Sequence, residues 1–167
     1  MTNAVPQDRP TRVLFVCTGN SARSQMAEAI LASRGAGRFA AESAGARPAG
    51  RVSRRAVAAL AELGIDWTGK TPRKVDGLEE RDWDLVVTVC DSARQACPVF
   101  HAARAVAHWD LPDPMDALGT DEEVLAAFRL SRDTIAELIE RLMALPVEAM
   151  PPRVVAQQVS ALIPRLP

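Results

Sequence analysis

Residues 13–24 read VLFVCTGNSARS. An apolar run rich in strand-forming residues ends at Cys17, and a helical pattern follows Arg23. This order predicts a β-strand, a tight loop and a helix N-terminus, with a thiol where the loop begins. Backbone N–H groups in such a loop and the positive end of the helix both favour an anion. The same field favours the thiolate of Cys17, which we expect to be a nucleophile at neutral pH.

The side chains around the loop agree with that chemistry. Arg23 can hold a tetrahedral oxyanion through two parallel hydrogen bonds. Gly19 permits positive φ, Asn20 can adopt left-handed φ or brace the loop, and Ser24 brings a hydroxyl near the sulfur. We therefore expect an oxyanion to be bound by the residues after the cysteine, which are Thr18, Gly19, Asn20, Ser21, Ala22, Arg23 and Ser24. The alternative is a buried structural cysteine with Arg23 on a solvated helix face.

The composition limits the possible functions. A chain of 167 residues fits one domain with a proper core. The net charge is −1 and the acidic and basic residues are mixed, so we expect no nucleic-acid partner and no membrane partner. Residues 1–10 lack the apolar stretch of a signal peptide, which favours a cytoplasmic protein. Three cysteines in a reducing compartment argue for reactive thiols rather than a structural disulfide framework.

Strand patterns alternate with helical patterns along the chain. We predict strands at 11–16, 39–43, 84–90 and 105–109, and helices at 21–34, 51–63 and 121–145, the last with Thr120 as its N-cap. The predicted fold class is α/β: a single-domain three-layer sandwich in which helices cover both faces of a central four-stranded parallel sheet. We expect residues 1–10 to be a disordered lead, 11–145 to form the domain, and 146–167 to be a proline-containing extension. We expect a short helix at 154–163, for which packing on the body is favoured over self-association or a loose tail.

Two further cysteines follow the third predicted strand, where residues 90–98 read CDSARQACP. Cys17 and Cys90 both lie at carboxyl ends of parallel strands, which share one edge of a sheet. Alone, Cys90 is typical of a buried strand residue and Cys97 of an unreactive loop thiol, but a nucleophilic Cys17 makes a thiol relay the favoured interpretation. A disulfide needs Cα atoms within about 7 Å, and a helix between the two would hold them about 10 Å apart. We therefore predict that residues 91–96 unwind on oxidation.

The cysteines do not predict a metal centre. The sequence has no Cys-x2-Cys pair, and His101 and His108 do not complete a usual zinc pattern. We expect these histidines to be loop and strand-end residues rather than a general base.

The run VCTGNSARSQMAE, residues 16–28, resembles the phosphate-binding loop of the low-molecular-weight protein tyrosine phosphatase superfamily. It is most similar to the thioredoxin-coupled arsenate reductases of that superfamily, and the SQMAE continuation is typical of them. These reductases are also similar in having a second cysteine after a Val-Val-Thr strand, a third before a proline, and the pairs His108-Trp109 and Asp113-Pro114. The resemblance covers residues 11–145.

The resemblance implies a role for each cysteine. Cys17 would be the nucleophile, Cys90 the resolving thiol and Cys97 the final thiol of a relay that reduces arsenate, a phosphate-like oxyanion, to arsenite. Asp113 matches the acid that protonates the leaving oxygen in the phosphatases; Asp110 and Asp116 are its neighbouring alternatives. Thioredoxin is the implied reductant, although glutaredoxin or a small thiol could serve. The other functions left open are a phosphomonoester or tyrosine phosphatase and a non-enzymatic thiol redox sensor.

Some reductases of this family bind potassium near the loop, and Asn20, Glu28 and Ser43 match positions used there. The matching aspartate is absent from residues 66–80, where Lys70 or Arg73 would supply a positive charge instead. We therefore expect no tightly bound cofactor. The phosphatases also have Asp-Pro-Tyr where this chain has Asp-Pro-Met, and the chain contains no tyrosine, so we expect no deep aromatic slot for phosphotyrosine.

Overall fold

The computed structural model of the protein describes residues 8–90, 93 and 98–163. The helices and strands, in chain order, are β1 (Thr11–Cys17), α1 (Arg23–Arg34), β2 (Phe39–Gly45), α2 (Arg54–Ala61), β3 (Leu85–Thr88), β4 (Val106–His108), α3 (Asp121–Met143) and α4 (Pro152–Ser160). Two short 3-10 turns, Leu78–Glu80 and Pro114–Asp116, lie in the connections that precede β3 and α3.

The four strands form one parallel sheet in the order β2-β1-β3-β4. β1 pairs with β2 along its whole length, up to Cys17 opposite Gly45, and with β3 up to Val16 opposite Thr88. Successive side chains of a strand point to opposite faces, and all four residues of β3 are buried, so both faces of the sheet are covered. The predicted α/β fold with a four-stranded parallel sheet is confirmed.

The structure shortens most of the predicted elements. α1 begins at Arg23 instead of 21 because Ala22 has non-helical dihedral angles (φ −132°, ψ −77°). α2 begins at Arg54 instead of 51 because the preceding residue, Ser53, is extended and donates its N–H to Ser21 O in the loop. β3 spans Leu85–Thr88 rather than the predicted 84–90, although Asp84 just before it still donates its backbone N–H to Arg12 O in β1 at 3.0 Å and accepts the N–H of Arg12 with its carboxylate. The hydrophobic periodicity of a segment does not show such contacts with distant segments, so it could not predict these element ends.

The residues just before β1 contact the body through Arg9. Arg9 donates from both guanidinium nitrogens to Asp84, at 2.6 and 3.1 Å, and the backbone N–H of Arg12 reaches the same carboxylate at 2.8 Å. Asp84 is buried, so the pairing supplies the charge that a buried carboxylate needs. Residues 1–7 lie outside the described part of the chain.

The C-terminal helix α4 packs on the edge strand β4. Val155 and Val159 are buried there, and Trp109 donates its indole N–H to Val159 O at 2.8 Å. Ser160 accepts the backbone N–H of His108 at 3.1 Å, so α4 binds the polar edge of the sheet as well as its apolar surface. The predicted packing of this tail on the body is confirmed for α4, which starts at Pro152 rather than 154.

Helix α3 begins and ends with defined hydrogen bonds. Thr120 is its N-cap, as predicted, and accepts the N–H of Glu123 at 3.2 Å. At the other end Arg38 donates to the carbonyls of Met143 and Leu145 and forms an ion pair with Glu148. The guanidinium of Arg38 holds the pKa of the Glu148 carboxyl below its usual value. None of the helices that the structure describes is long and apolar enough to cross a bilayer.

Candidate active site

Cys17 is the last residue of the central strand β1, and residues 18–22 form a loop that leads into α1. The carbonyls of this loop accept N–H groups from the segment that follows β2: Cys17 O from Ala46 (3.2 Å), Thr18 O from Arg47 (2.8 Å), Gly19 O from Ala49 (2.8 Å) and Ser21 O from Ser53 (2.9 Å). The C=O and the next N–H of a trans peptide point in opposite directions. The N–H groups of residues 18, 19, 20 and 22 therefore point away from that segment, toward the centre of the loop. This arrangement can bind an anion.

The sulfur of Cys17 lies inside this ring of amides and is almost fully buried, with 3% of the residue exposed. It accepts the backbone N–H of Asn20 at 3.1 Å, and the hydroxyl of Ser24 lies 2.8 Å from it. Asn20 reaches this position with φ at 50°, the left-handed conformation that was one of the two roles expected for it. Both of these groups are placed to donate a hydrogen bond to this sulfur.

A chain of buried side chains fixes the direction of these hydrogen bonds. Trp67 can only donate, and its indole N–H reaches Gln25 Oε1 at 2.8 Å, which leaves the Gln25 amide N–H groups to donate to Asn20 Oδ1 at 3.0 Å. Asn20 Nδ2 must then donate, and it reaches Ser24 Oγ at 2.8 Å. Because Ser24 accepts this hydrogen bond, its own proton is available for the sulfur of Cys17. Each hydrogen bond in this series, from Trp67 through Gln25, Asn20 and Ser24, therefore donates in the direction of Cys17.

The amide of Asn20 uses all of its hydrogen-bonding capacity. Its Nδ2 donates to Ser24 and to Ser43 Oγ (2.9 Å), and its Oδ1 accepts from Gln25 and from the backbone N–H of Arg73 (2.8 Å). A buried amide with every group paired holds a single orientation. Asn20 thereby fixes both the loop and the hydroxyl beside the sulfur.

Arg23 opens α1 with its side chain buried beside the loop. Its Nη2 lies 3.1 Å from Asp113 Oδ2, and its Nη1 donates to Leu111 O at 2.8 Å. The structure thus brings together two residues that are 90 positions apart in the sequence and that we predicted to share the site. Asp113 also accepts the N–H of Met115 at 3.0 Å. Within the described residues neither Asp110 nor Asp116 forms an ion pair with Arg23, so Asp113 is the carboxylate that the fold selects.

Cys90 lies beside the loop as well. Its sulfur is 3.4 Å from Thr18 Oγ1, accepts the N–H of Ala93 at 3.3 Å, and is buried. The β1–β3 ladder continues past Thr88, because Val89 donates to Val16 O at 2.9 Å. Cys90 follows directly, so it lies at the same edge of the sheet as Cys17. Cys97 and the predicted unwinding of 91–96 lie outside the described residues, apart from Ala93.

The candidate potassium ligands do not fit a cation. Both acceptor positions of Asn20 Oδ1 are taken by N–H donors, and Ser43 Oγ accepts from Asn20. Burial raises the pKa of Glu28, which Lys70 and Arg73 partly offset, so positively charged side chains already face this carboxyl. Across residues 8–90, 93 and 98–163, no cluster of three His, Cys, Asp or Glu could hold a metal ion.

Three residues of the site are missing from the sequence prediction. Gln25 and Trp67 carry the hydrogen-bond chain, and neither has a local signal because their partners are distant in sequence. Gly45 is needed because a Cβ atom there would lie 2.7 Å from Thr18 O and 2.9 Å from Asn20 N. A glycine at the end of a strand often marks such a close backbone approach, so Gly45 could have been found.

Comparisons with known proteins agree with this geometry. The sequence profile described as low molecular weight phosphotyrosine protein phosphatase matches residues 12–151. A protein named arsenate reductase from Halalkalibacterium halodurans is 41% identical over 128 residues, which cover 77% of this chain and 91% of that protein. A protein named glutaredoxin arsenate reductase from Synechocystis sp. is 35% identical over 133 residues, which cover 80% and 96%. A solved structure described as an arsenate reductase in the phosphate binding state has a TM-score of 0.69 at 34% identity, covering 80% of this chain and 97% of that one.

Proposed function

The chain belongs to the low molecular weight phosphotyrosine protein phosphatase family, and we propose that within this family it is an arsenate reductase. The observation that carries the proposal is the second thiol at the loop: Cys90 is within hydrogen-bond distance of Thr18, the residue next to Cys17. A phosphatase needs one thiol, whereas reducing a bound oxyanion needs a second one within reach. The relatives named arsenate reductase support the same substrate.

Binding and attack would use the loop and the Arg23–Asp113 pair. The arsenate dianion is held by the inward N–H groups of residues 18, 19, 20 and 22 and by the guanidinium of Arg23. The thiolate of Cys17 attacks arsenic and forms a sulfur–arsenic bond. One arsenate oxygen leaves as water, and Asp113 supplies a proton to it. The hydrogen-bond chain from Trp67 to Ser24 directs the Ser24 hydroxyl at the attacking sulfur before this step.

Reduction then takes two electrons from two thiols. The thiolate of Cys90 attacks the sulfur of Cys17, the sulfur–arsenic electron pair goes to arsenic, and arsenite leaves behind a Cys17–Cys90 disulfide. The sulfur of Cys90 contacts Thr18 Oγ1 at 3.4 Å and is not bonded to that of Cys17. Cys90 must therefore turn toward Cys17 before it attacks. Cys97 next attacks Cys90 and frees Cys17, which leaves a Cys90–Cys97 disulfide for an external reductant.

The reductant that we propose is thioredoxin, acting in the cytoplasm. A dithiol protein fits because the final disulfide joins two cysteines of one short segment and must be reached from outside. The Synechocystis relative named glutaredoxin arsenate reductase makes glutaredoxin with glutathione the alternative to compare. Arsenite production at equal concentrations of each system distinguishes them, and faster turnover with glutaredoxin would replace thioredoxin in the scheme.

The relay is tested with Cys90→Ser and Cys97→Ser proteins. We expect Cys97→Ser to release about one arsenite per protein and then stop with thioredoxin present, because its Cys17–Cys90 disulfide is not passed on. We expect Cys90→Ser to release none. Mass-spectrometric disulfide mapping after one turnover should find the Cys17–Cys90 link in Cys97→Ser and the Cys90–Cys97 link in wild type.

The same experiment separates the other functions. Undiminished multiple turnover in Cys97→Ser would remove that residue from the relay. Wild-type protein that hydrolyses phosphate esters but makes no arsenite would be a phosphatase. Oxidation of the wild-type thiols without any arsenite release would indicate a redox sensor.

A further inference from the structure

Helix α4 lies against the strand that leads to Asp113. It begins at Pro152, just past residue 151, where the match to the family profile ends. It packs on β4, and the chain runs from the end of β4 at His108 to Asp113 in five residues. An element outside the family profile therefore contacts the segment that carries the proposed proton donor.

Trp109, the residue after β4, joins this helix to the sheet. Its side chain is fully buried, and its indole N–H donates to Val159 O at 2.8 Å. Its ring centroid lies 6.0 Å from that of Phe15 in β1, and its backbone N–H donates to Thr88 O at 2.8 Å. Val159 is in the last turn of α4, where carbonyls have no partner from within the helix and the helix dipole is negative. This carbonyl is therefore a strong acceptor for the indole.

The backbone between Trp109 and Asp113 is short and stiff. Proline occupies positions 112 and 114, which fixes φ at both. Each proline also keeps the residue before it, Leu111 or Asp113, out of the helical conformation. Asp113 is accordingly extended, with φ −83° and ψ 115°. A shift of the Trp109 backbone is therefore largely passed on to Asp113.

Both contacts of this segment with Arg23 depend on its position. Leu111 O accepts from Arg23 Nη1 at 2.8 Å, and Asp113 Oδ2 lies 3.1 Å from Arg23 Nη2. The side chain of Asp113 is 31% exposed, so water competes for its carboxylate and the backbone must hold it at the guanidinium. A proton donor works only within hydrogen-bond reach of the oxygen that leaves. The placement of Asp113 therefore affects the rate of the step that needs its proton.

We propose that Trp109 is a positioning residue for Asp113, and that α4 fixes Trp109 through the carbonyl of Val159. The inference rests on the proposed reduction of arsenate, in which Asp113 supplies a proton to the departing oxygen. Trp109 acts only through the placement of that carboxyl group. The C-terminal helix thereby helps to set the rate of the first chemical step.

The test is Trp109→Phe, which keeps an aromatic ring in the core and removes the N–H donor. Protein in excess is mixed with arsenate, without a reductant, and arsenite release is followed over a single turnover. We expect the rate to fall about 10-fold, less than for loss of the acid itself, because a misplacement of about 1 Å costs up to about 100-fold. Phosphate should bind at least as tightly as to wild type in calorimetry, because the loop amides and Arg23 remain.

The matched control is Trp83→Phe. Trp83 is also buried, and its indole N–H also donates to a main-chain carbonyl, Leu78 O, at 2.7 Å. It precedes β3 and so lies at the edge of the sheet opposite the carboxyl ends of the strands. The two variants remove the same kind of hydrogen bond, and Trp83→Phe should leave the rate of arsenite release close to that of wild type.

A double-variant cycle separates positioning from a general loss of structure. In an Asp113→Asn background, where no acid is left to place, Trp109→Phe should leave the rate unchanged. An equal fold loss in both backgrounds, a loss matched by Trp83→Phe, a wild-type rate in Trp109→Phe, or weakened phosphate binding would each overturn the inference.

Ser160→Ala is carried through the same cycle, so that the test does not depend on whether Trp109→Phe folds. Ser160 accepts the backbone N–H of His108 at 3.1 Å, so its loss loosens the same contact between α4 and β4. We expect a smaller loss of rate, again only where Asp113 is present, and no loss would count against a role for α4. A wild-type protein that releases no arsenite would instead refute the reduction on which the inference rests.

Discussion

Ser24→Ala tests the hydrogen-bond chain that supports the thiolate of Cys17. The Ser24 hydroxyl accepts from Asn20 Nδ2 at 2.8 Å and donates to the sulfur at 2.8 Å. A hydrogen bond to a charged group contributes about 1.5–3 kcal/mol, so its loss removes that stabilisation from negative charge on the attacking sulfur. A gain in nucleophilicity, with a Brønsted slope of about 0.4–0.5, offsets part of this loss. The rate of alkylation of the sulfur should therefore fall by roughly 4- to 16-fold.

Ser43→Ala is the matched control. Ser43 is buried, accepts the other proton of the same Asn20 amide at 2.9 Å, and donates nothing to the sulfur. The two variants remove the same atom from the same network and differ in contact with Cys17. We expect Ser43→Ala to change the alkylation rate less than twofold.

The assay is alkylation of Cys17 by iodoacetamide, followed by mass spectrometry from pH 4 to 9. Cys90→Ser and Cys97→Ser substitutions in all proteins leave one thiol to react. Rates are compared on the acid limb of the profile, where the thiolate is the minor form, and thermal melts confirm that the variants are folded. Equal slowing by the two variants, or a wild-type rate in Ser24→Ala, would refute the assignment of Ser24 as the donor to sulfur.

Three further predictions concern the acid, the pH dependence of stability and the C-terminal helix. Asp113→Asn should lower arsenate turnover at least about 100-fold through loss of the proton donor, while phosphate titrated into it calorimetrically should bind at least as tightly as to wild type; weaker binding would contradict the pairing with Arg23. Because the pKa of Glu148 is lowered by Arg38, their ion pair contributes stability above the unfolded value of 4.5 and loses it as the pH falls through the lower folded value. The Tm difference between wild type and Arg38→Gln should therefore shrink from pH 7 to pH 3, and a constant difference would argue against the ion pair. Val159→Ala should cost about 1–3 kcal/mol in urea unfolding, against less than about 0.5 kcal/mol for Val106→Ala, whose side chain is exposed; equal losses would mean that α4 does not pack on β4.

The fold could be predicted because its signals are local. The β1 and β3 segments are continuous apolar runs, which is the pattern of parallel strands buried on both faces. The long helix α3 carries its N-cap, Thr120, and its acidic first turn within a few residues of each other. The ends of the elements were harder to predict, since Ala22 departs from helical geometry and Ser53 donates its N–H to Ser21 O across the fold.

For the site as well, the residues of a local motif could be predicted and the residues placed by distant contacts could not. Cys17 and Arg23 belong to one short motif, so their common place at the loop follows from strand, turn and helix. Gln25 and Trp67 could not be assigned, because an indole 50 residues from the cysteine gives no local sign of which amide it meets. Asp113 was distinguishable from Asp110 and Asp116 only through a family resemblance. The ion pair between Asp113 and Arg23 is the physical reason why Asp113, rather than Asp110 or Asp116, belongs to the site.

The ion pair between Arg23 and Asp113 couples substrate binding to proton donation. Before substrate arrives, the guanidinium is shared between Asp113 and Leu111 O. An incoming dianion competes for the same guanidinium and brings two negative charges next to the carboxylate. Asp113 is then released from Arg23 next to the bound oxyanion, where a proton donor to the leaving oxygen is needed. One buried arginine therefore contacts the carboxylate before substrate arrives and the oxyanion afterwards, which links the two events.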